Sequence, residues 1–259
     1  MSPPHRFAVL GRPIAESRSP AIHAEALRLA NLEGTYEAVD ADSDVLANWM
    51  NRVRSGEADG LNVTMPLKLR AFELADALTS EAEASGSVNT VRLRDERLEG
   101  HSTDVVAVRQ ALTAERFRAL ESVLVLGGGG SARAALEGGR DRNRYIQTRD
   151  PGQARALSAS FECQPLAWGT AVAGALVINA TPIGMHGECL ESQLLEACGG
   201  LIDLPYGLNR TQSLVAVEAM NRPVLDGFEF LAMQARASFQ WWTGRDVSLA
   251  PLIAAARKG

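Results

Sequence analysis

Two polar side chains in this chain could move a proton. Lys68 ends the segment Leu61-Asn-Val-Thr-Met-Pro-Leu-Lys68, where a predicted strand stops at a proline and a helix begins. A lysine at a helix start opposes the helix dipole, which favours the neutral amine that can accept a proton. Asp104 ends Ser102-Thr-Asp104, just before another predicted helix. Taken alone, each has a plainer interpretation: a surface cation for Lys68 and a helix N-cap for Asp104.

A glycine-rich loop predicts a dinucleotide site. The continuous apolar run Val123–Leu126 is typical of a strand buried on both faces. The residues that follow it and open a helix have the order G-x-G-x-x-A; they are Gly127, Gly128, Gly129, Gly130, Ser131 and Ala132. The glycines permit a tight turn and a close approach of a pyrophosphate, and the N–H groups of the helix start face the phosphates. Without the strand and helix on either side, a glycine-rich turn with no ligand would explain the loop equally well.

The residues after the next predicted strand favour NADP over NAD. An acid at this position holds the ribose 2′-hydroxyl of NAD, whereas an arginine accommodates the 2′-phosphate of NADP. Here the strand leads into Thr148 and Arg149, and Asp150 follows. We therefore expect NADP, with NAD as the alternative, and a solvated surface arginine remains the plainer interpretation of Arg149.

Alternating strands and helices must position these residues. The alternation predicts an α/β protein with a doubly wound parallel sheet, and a domain junction near Asp104. One helix is predicted over 67–78 and two more over 228–242 and 249–258. The helix after the glycine loop reaches Gly138-Gly139 early and has few apolar anchors, so we expect it to be short and loosely packed.

Composition excludes several classes of function. The chain has 259 residues, 46% of them hydrophobic and 22% charged, with a net charge of −5. It lacks the basic stripe of a nucleic-acid-binding protein, and it contains no apolar run long enough to cross a membrane. Three widely spaced cysteines form no metal motif. We expect a cytoplasmic protein with free thiols, no metal, and no nucleic-acid or membrane partner.

In their order along the chain, the motifs resemble the shikimate dehydrogenase family. The matching segments are Gly11-x-Pro-Ile-x-x-Ser17-x-Ser19-Pro-x-Ile-His23, Asn62-Val-Thr64-x-Pro-x-Lys68, Val88-Asn89-Thr90, Thr103-Asp104, the glycine loop, Ile178-Asn-Ala-Thr181-Pro-x-Gly184-Met185 and Asp226-Gly227. The first two are specific, and the set covers nearly the whole chain.

The resemblance implies a fold, a reaction and a role for each site residue. An N-terminal α/β substrate domain (1–103, with the C-terminal helices of 228–259 packing back on it) would accompany a Rossmann-type dinucleotide domain (104–227). The enzyme would reversibly reduce 3-dehydroshikimate to shikimate with NADPH, within aromatic amino acid and chorismate biosynthesis, as a monomer or homodimer. Lys68 and Asp104 would transfer the proton. Substrate would be held by Ser17, Ser19, Asn62, Thr64, Asn89, Tyr206 and Gln234; cofactor by the glycine loop, Thr148, Arg149, Asn179, Thr181, Met185 and Gly227.

Some positions depart from the family pattern and keep alternatives open. Phe228 and Phe230 stand in a segment before Gln234 that is usually rich in glycine and leucine, and Gln153 stands where a second arginine usually follows Arg149. One alternative is therefore a quinate or aminoshikimate dehydrogenase that uses NAD or NADP. Another is a relative that binds shikimate-like acids without turnover.

Overall fold

The computed structural model describes residues 3–207 and 210–258. The chain forms two compact units, residues 1–106 with 231–259 and residues 107–230. The domain boundaries expected from the sequence, after residues 103 and 227, lie three residues earlier in each case. The predicted α/β fold class is confirmed.

The described strands and helices follow one another in this order: β1 (His5–Gly11), α1 (Ser19–Ala30), β2 (Gly34–Asp40), α2 (Ser43–Arg54), β3 (Gly60–Val63), α3 (Lys68–Leu74), β4 (Ala77–Leu78), α4 (Ser80–Ser85), β5 (Thr90–Arg94), β6 (Arg97–His101), α5 (Thr103–Thr113), β7 (Ser122–Leu126), α6 (Gly130–Gly138), β8 (Asn143–Gln147), α7 (Pro151–Phe161), β9 (Gln164–Pro165), β10 (Leu176–Asn179), α8 (Ser192–Ala197), β11 (Gly200–Asp203), α9 (Gln212–Ala219), β12 (Val224–Leu225), α10 (Gly227–Thr243) and α11 (Leu249–Lys258).

The first unit is built on a mixed sheet with the strand order β2-β1-β3-β5-β6-β4. The first three strands are parallel, whereas β5 runs antiparallel to both β3 and β6. The hairpin between β5 and β6 turns at Asp95 and Glu96, whose φ angles are 48° and 60°. Aspartate is one of the few residues that tolerate this left-handed conformation well, and two successive residues with positive φ form the tight turn that joins an antiparallel pair.

The helix predicted over residues 67–78 is wrong in its second half. α3 ends at Leu74, because Ala75 is extended and begins a turn into the short strand β4, which pairs with β6. The Asp76 carboxylate accepts the backbone N–H of Leu98 at 2.8 Å and pairs with Arg54. These tertiary hydrogen bonds override a local pattern that favours a helix.

Aromatic rings pack α10 against the first sheet. Trp242 stacks on Phe7 with ring centroids 4.5 Å apart, and its indole N–H donates to the Val91 carbonyl at 3.0 Å. A Cβ on Gly60 would lie 2.4 Å from the same indole, so only glycine allows this close approach. The C-terminal helix α11 packs against α1. The last helices therefore belong to the first unit.

The second unit contains a fully parallel sheet with the order β12-β11-β10-β7-β8-β9. Strands β7 and β10 are buried on both faces, as the apolar run of β7 predicted. In a sheet of this kind, ligands bind at the carboxyl ends of the strands. The glycine loop and the turn after β10 both lie at such ends.

Helix α6 is short, as predicted, but the expectation of loose packing is wrong. It ends at Gly138, and Ala132, Ala134, Ala135 and Leu136 are all fully buried. Alanine side chains let the helix approach the sheet closely, so few large apolar residues are needed.

The other expectations from composition concern thiols, metals and membranes. Cys163, Cys189 and Cys198 are free thiols. Within residues 3–207 and 210–258, no helix is both long and apolar enough to span a bilayer, and no three His, Cys, Asp or Glu side chains converge as a metal site.

His23 predicts a pH dependence of stability. Its ring is fully buried and stacks on Tyr36 at 4.2 Å; burial lowers the pKa of His23 to about 3, and a contact with Asn62 opposes this shift only in part. The His23 imidazole therefore binds a proton near pH 6.5 in the unfolded chain but only near pH 3 in the folded chain. The free energy of unfolding should fall as the pH drops through this window, by about 1.4 kcal/mol per pH unit from this group. Denaturant unfolding of His23→Phe between pH 7 and pH 4.5 should show a correspondingly shallower slope.

Ile22 offers the control, because Ile22→Val removes volume from a fully buried position of the same helix but no ionisable group, and should leave the slope of the wild type unchanged. An equal slope in wild type and His23→Phe would contradict the prediction. If the larger phenylalanine ring lowers the free energy of unfolding by the same amount at every pH, the slope of that free energy against pH does not change.

Candidate active site

Lys68 and Asp104 form an ion pair in the first unit. The Lys68 Nζ donates to the Asp104 Oδ2, and the side chains are only 12% and 6% exposed. The two residues are 36 positions apart in sequence; the start of α3 supplies one and the first turn of α5 the other. Both plainer interpretations are wrong, because Lys68 is not a free surface cation and Asp104 lies inside its helix.

Asn89 holds the second oxygen of the Asp104 carboxylate. Its Nδ2 donates to Asp104 Oδ1 at 3.0 Å, and its Oδ1 accepts the Thr103 backbone N–H at 2.8 Å. The same Nδ2 is 3.3 Å from the Gln234 Oε1 on α10. The structure thus brings four of the predicted site residues together: Lys68, Asp104, Asn89 and Gln234. An Asp104 carboxylate with both oxygens held is fixed in orientation, and so is the amine that it pairs with.

A buried cluster of hydroxyl groups lies next to this site and is joined to it through Thr103 and Asn89. Ser238 on α10 lies about 3 Å from Thr90 Oγ1, Thr103 Oγ1 and Asn62 Nδ2. Asn62 also accepts the Tyr36 hydroxyl at 2.8 Å. The sequence reasoning missed Ser238, although it stands one helical turn after Gln234 and therefore on the same face.

The other predicted substrate residues of the first unit follow strands and do not lie within them. Thr64 follows β3, and its backbone N–H donates to the Leu10 carbonyl at 2.8 Å. Ser17 and Ser19 lie in the loop before α1 and at its first residue, with Ser17 accepting the Ser19 N–H at 3.4 Å. The first turn of α1 has no acidic residue, which leaves the positive end of its dipole available to an anion.

In the second unit, the glycine loop has the geometry expected of a phosphate cradle. Gly127 has a φ of 114°, and a Cβ there would lie 2.8 Å from the Ala180 carbonyl oxygen. A Cβ on Gly129 would meet nothing within 4 Å, so the backbone there is open to a ligand. Ala132 is fully buried, which keeps α6 close to the sheet. These features fit a dinucleotide pyrophosphate at the helix start.

Arg149 lies between β8 and α7 and is exposed. It forms no ion pair with a described residue, whereas Asp150 caps α7 by accepting the Gly152 N–H at 2.8 Å. The preceding Thr148 is buried, and its hydroxyl donates to the Asp150 carbonyl. Gln153 donates to the Gly128 carbonyl at 3.4 Å and so touches the glycine loop. The cation is available for a phosphate, while the acid is engaged in a cap.

The turn after β10 is tied together by one amide. Asn179 Oδ1 accepts both the backbone N–H and the hydroxyl of Thr181, at 3.1 and 2.6 Å, and Nδ2 donates to the Ile183 carbonyl at 2.9 Å. Met185 follows in this turn, partly exposed. Asn179, Thr181 and Met185 are thus neighbours in one turn.

Tyr206 and Gly227 are the last predicted site residues of this unit. The Tyr206 ring packs on Phe228 with centroids 5.5 Å apart. A Cβ on Gly227 would lie 2.5 Å from the Leu204 carbonyl oxygen, so this position requires glycine for close packing. Phe228 therefore contacts a predicted substrate residue, while Phe230 is buried.

Comparison with known proteins decides the family. The model of the shikimate dehydrogenase substrate-binding domain matches residues 9–91. A protein named shikimate dehydrogenase (NADP(+)) from Thermus thermophilus is 36% identical over 244 residues, which cover 92% of each chain. One of the same name from Aromatoleum aromaticum is 34% identical and covers 98% of this chain and 97% of its own.

This chain belongs to the shikimate dehydrogenase family. The crystal structure of a Thermus thermophilus shikimate 5-dehydrogenase, described as a complex with NADP(H) and shikimate, superposes with a TM-score of 0.87 at 34% identity. It covers 98% of this chain and 99% of its own. The resemblance inferred from the sequence motifs is confirmed.

Two glycine substitutions separate folding from ligand binding in this family member. Gly127→Ala should lower the Tm, because a residue with a side chain at φ 114° is strained by about 1–3 kcal/mol and clashes with Ala180. Gly129→Ala should lower the Tm less, since its φ is −83° and the space is open and only its place as N-cap of α6 is affected, but weaken dinucleotide binding by covering the exposed backbone. Thermal unfolding and NADPH fluorescence titration measure the two effects. Unweakened binding in Gly129→Ala would contradict the assignment of the cradle.

Proposed function

We propose that this protein is an NADP-dependent shikimate dehydrogenase that interconverts shikimate and 3-dehydroshikimate. Family membership and the buried Lys68–Asp104 pair support the proposal, and the pair is the observation that carries it. NADP+ would be the hydride acceptor in the oxidation.

In this proposal Lys68 is the general base. Oxidation at C3 breaks the C–H bond, whose electron pair leaves with the hydride, and the hydroxyl proton must leave as the C–O bond becomes a carbonyl. The neutral Lys68 amine takes that proton, and the resulting ammonium is stabilised by Asp104. In the reverse direction the ammonium returns the proton to the carbonyl oxygen.

The rarity of lysine in this chain supports a chemical role for Lys68. Of the 26 lysine and arginine residues, only Lys68 and Lys258 are lysines, and the other 24 are arginines. Arginine forms stronger bidentate ion pairs than lysine, but it does not lose its proton in proteins. A lysine in a buried ion pair, in a chain that uses arginine almost everywhere else, fits a position that must exchange a proton.

The substrate would be held by residues of the first unit together with Tyr206. Its carboxylate would lie at the start of α1 with Ser17, Ser19 and Tyr206, and its ring hydroxyls would meet Asn62, Thr64, Asn89 and Gln234. The polar atoms of Asn62 and Asn89 already have partners within the protein, so each amide would share its hydrogen bonds between the protein and the substrate.

The cofactor would be held by the second unit. The pyrophosphate fits the open backbone at Gly129, and the 2′-phosphate would pair with Arg149. Thr148, Asn179, Thr181, Met185 and Gly227 would complete the site. We also propose that the protein acts in the cytoplasm as a monomer or homodimer, which its free thiols and acidic net charge support.

Lys68→Ala tests the reaction and the base together. Initial rates of shikimate oxidation with NADP+ should fall by about 10²- to 10⁴-fold in kcat, with a small change in the KM of shikimate. Lys258→Ala is the matched control, because it removes the other lysine from the exposed end of α11. Full activity of Lys68→Ala would contradict the mechanism. If the wild type oxidises quinate but not shikimate, quinate is the substrate in place of shikimate. If it oxidises neither, the result favours a protein that binds such acids without turnover.

Arg149→Ala tests the choice of cofactor. Loss of a cation that pairs with the 2′-phosphate should raise the KM of NADP+ by about 10-fold or more and leave that of NAD+ unchanged. Arg118→Ala removes another exposed arginine of the second unit, away from the turn between β8 and α7, and should have little effect. Equal changes for NADP+ and NAD+ in Arg149→Ala would mean that Arg149 does not recognise the 2′-phosphate.

A further inference from the structure

Asp203 is a buried carboxylate to which the proposed mechanism gives no role. It ends β11 in the second unit, is fully buried, and forms no ion pair with a described cation. Burial raises the pKa of Asp203 to about 6, and hydrogen bonds from Thr211 and Asn179 offset this only in part. Above that pH the folded chain keeps an unpaired buried charge, which costs stability. Such a costly group is a candidate for a role in the neighbouring site.

The carboxylate fixes the orientation of the Asn179 amide. Asn179 Nδ2 donates to Asp203 Oδ1 at 2.7 Å, and the Thr211 hydroxyl donates to Oδ2. An ionised carboxylate only accepts hydrogen bonds, so it can face only the NH₂ end of an amide. The Asn179 Oδ1 must therefore point the other way, where Thr181 donates to it twice.

The orientation of this amide determines the shape of the turn after β10. Asn179 joins Thr181 to Ile183 through its two ends, and the Thr181 Oγ1 accepts the Ile183 N–H at 3.2 Å. The turn begins against the glycine loop, because the Ala180 carbonyl is the group that a Cβ on Gly127 would meet. A reversed amide would place NH₂ against two donors and release the turn.

We propose that Asp203 is a positioning residue for the dinucleotide, acting through Asn179 to preorganise the turn from Thr181 to Gly184. The inference rests on the proposed function, which assigns Asn179 and Thr181 to the cofactor. Asp203 itself touches neither substrate nor cofactor in this scheme.

Two substitutions separate orientation from charge. In Asp203→Asn, the new Oδ1 can still accept from Asn179 while the new NH₂ group faces Thr211, so the amide keeps its orientation and the buried charge is gone. In Asp203→Leu, the acceptor is lost and Asn179 is free to turn. Val177→Ala is the matched control, because it removes buried volume from the same strand as Asn179 without touching the turn.

The experiment measures NADPH binding by fluorescence titration, with Tm and shikimate affinity recorded for each variant. We expect Asp203→Leu to weaken NADPH binding by about 10-fold or more, and Asp203→Asn by less than about threefold. Shikimate affinity should stay unchanged in both, and Asp203→Asn should be at least as stable as wild type at pH 8. Hydrogen exchange of residues 179–184 in the free protein should be faster in Asp203→Leu only.

The outcomes distinguish this inference from the proposed function. If the wild type binds NADPH and Asp203→Leu binds it with the same affinity, the inference is overturned and the proposed function is not affected. An equal loss of affinity in Val177→Ala, at a similar loss of Tm, would also overturn it, since a general structural weakening would then explain the effect. A wild type that binds no NADPH would overturn the proposed function and this inference with it.

Discussion

The first unit buries an amine and a carboxylate side by side, and its other polar groups are arranged around this pair. Removing two charges from water costs several kcal/mol for each, and the cost is recovered only if the remaining hydrogen-bonding positions are filled. Asp104 therefore needs Asn89 as well as Lys68. Asn89 in turn needs Thr103 and Gln234, so the requirement for partners extends from the ion pair to helix α10.

The second unit solves a different electrostatic problem. A dinucleotide brings its own negative charges, and the loop that would receive them offers backbone N–H groups at the start of α6 without a charged side chain of its own. Asp203, a buried carboxylate of the same unit, is held by neutral donors from Thr211 and Asn179. Such a carboxylate can fix the direction of a neighbouring amide because it accepts hydrogen bonds and has none to donate.

Local patterns predicted much of this molecule. The strand, glycines and helix from Val123 to Ala132 follow one another without a gap, and α11 has the bounds that its sequence pattern indicated. Strand β4 and helices α8 and α9 were missed, since elements of two to eight residues carry too little periodicity to be recognised.

The site was predictable where a motif marked it. Lys68 and Asp104 stood in recognisable segments, but their contact joins positions 36 residues apart and needs the fold. Asp203 resembled the last residue of a strand and nothing more, because its burial and its amide partner are tertiary facts. Ser238 could have been found, as it follows Gln234 at helical spacing, yet nothing local showed that three polar side chains would converge on it.

The position of α10 in the sequence has a consequence for biosynthesis. Gln234 and Ser238 complete a polar cluster whose other members lie between Tyr36 and Asp104, and the whole second unit is translated between them. A nascent chain on the ribosome can thus fold its second unit while Asn62, Thr90 and Thr103 still lack the hydroxyl that joins them. The two units become mature in the reverse of their order of synthesis: the unit that starts first is finished last.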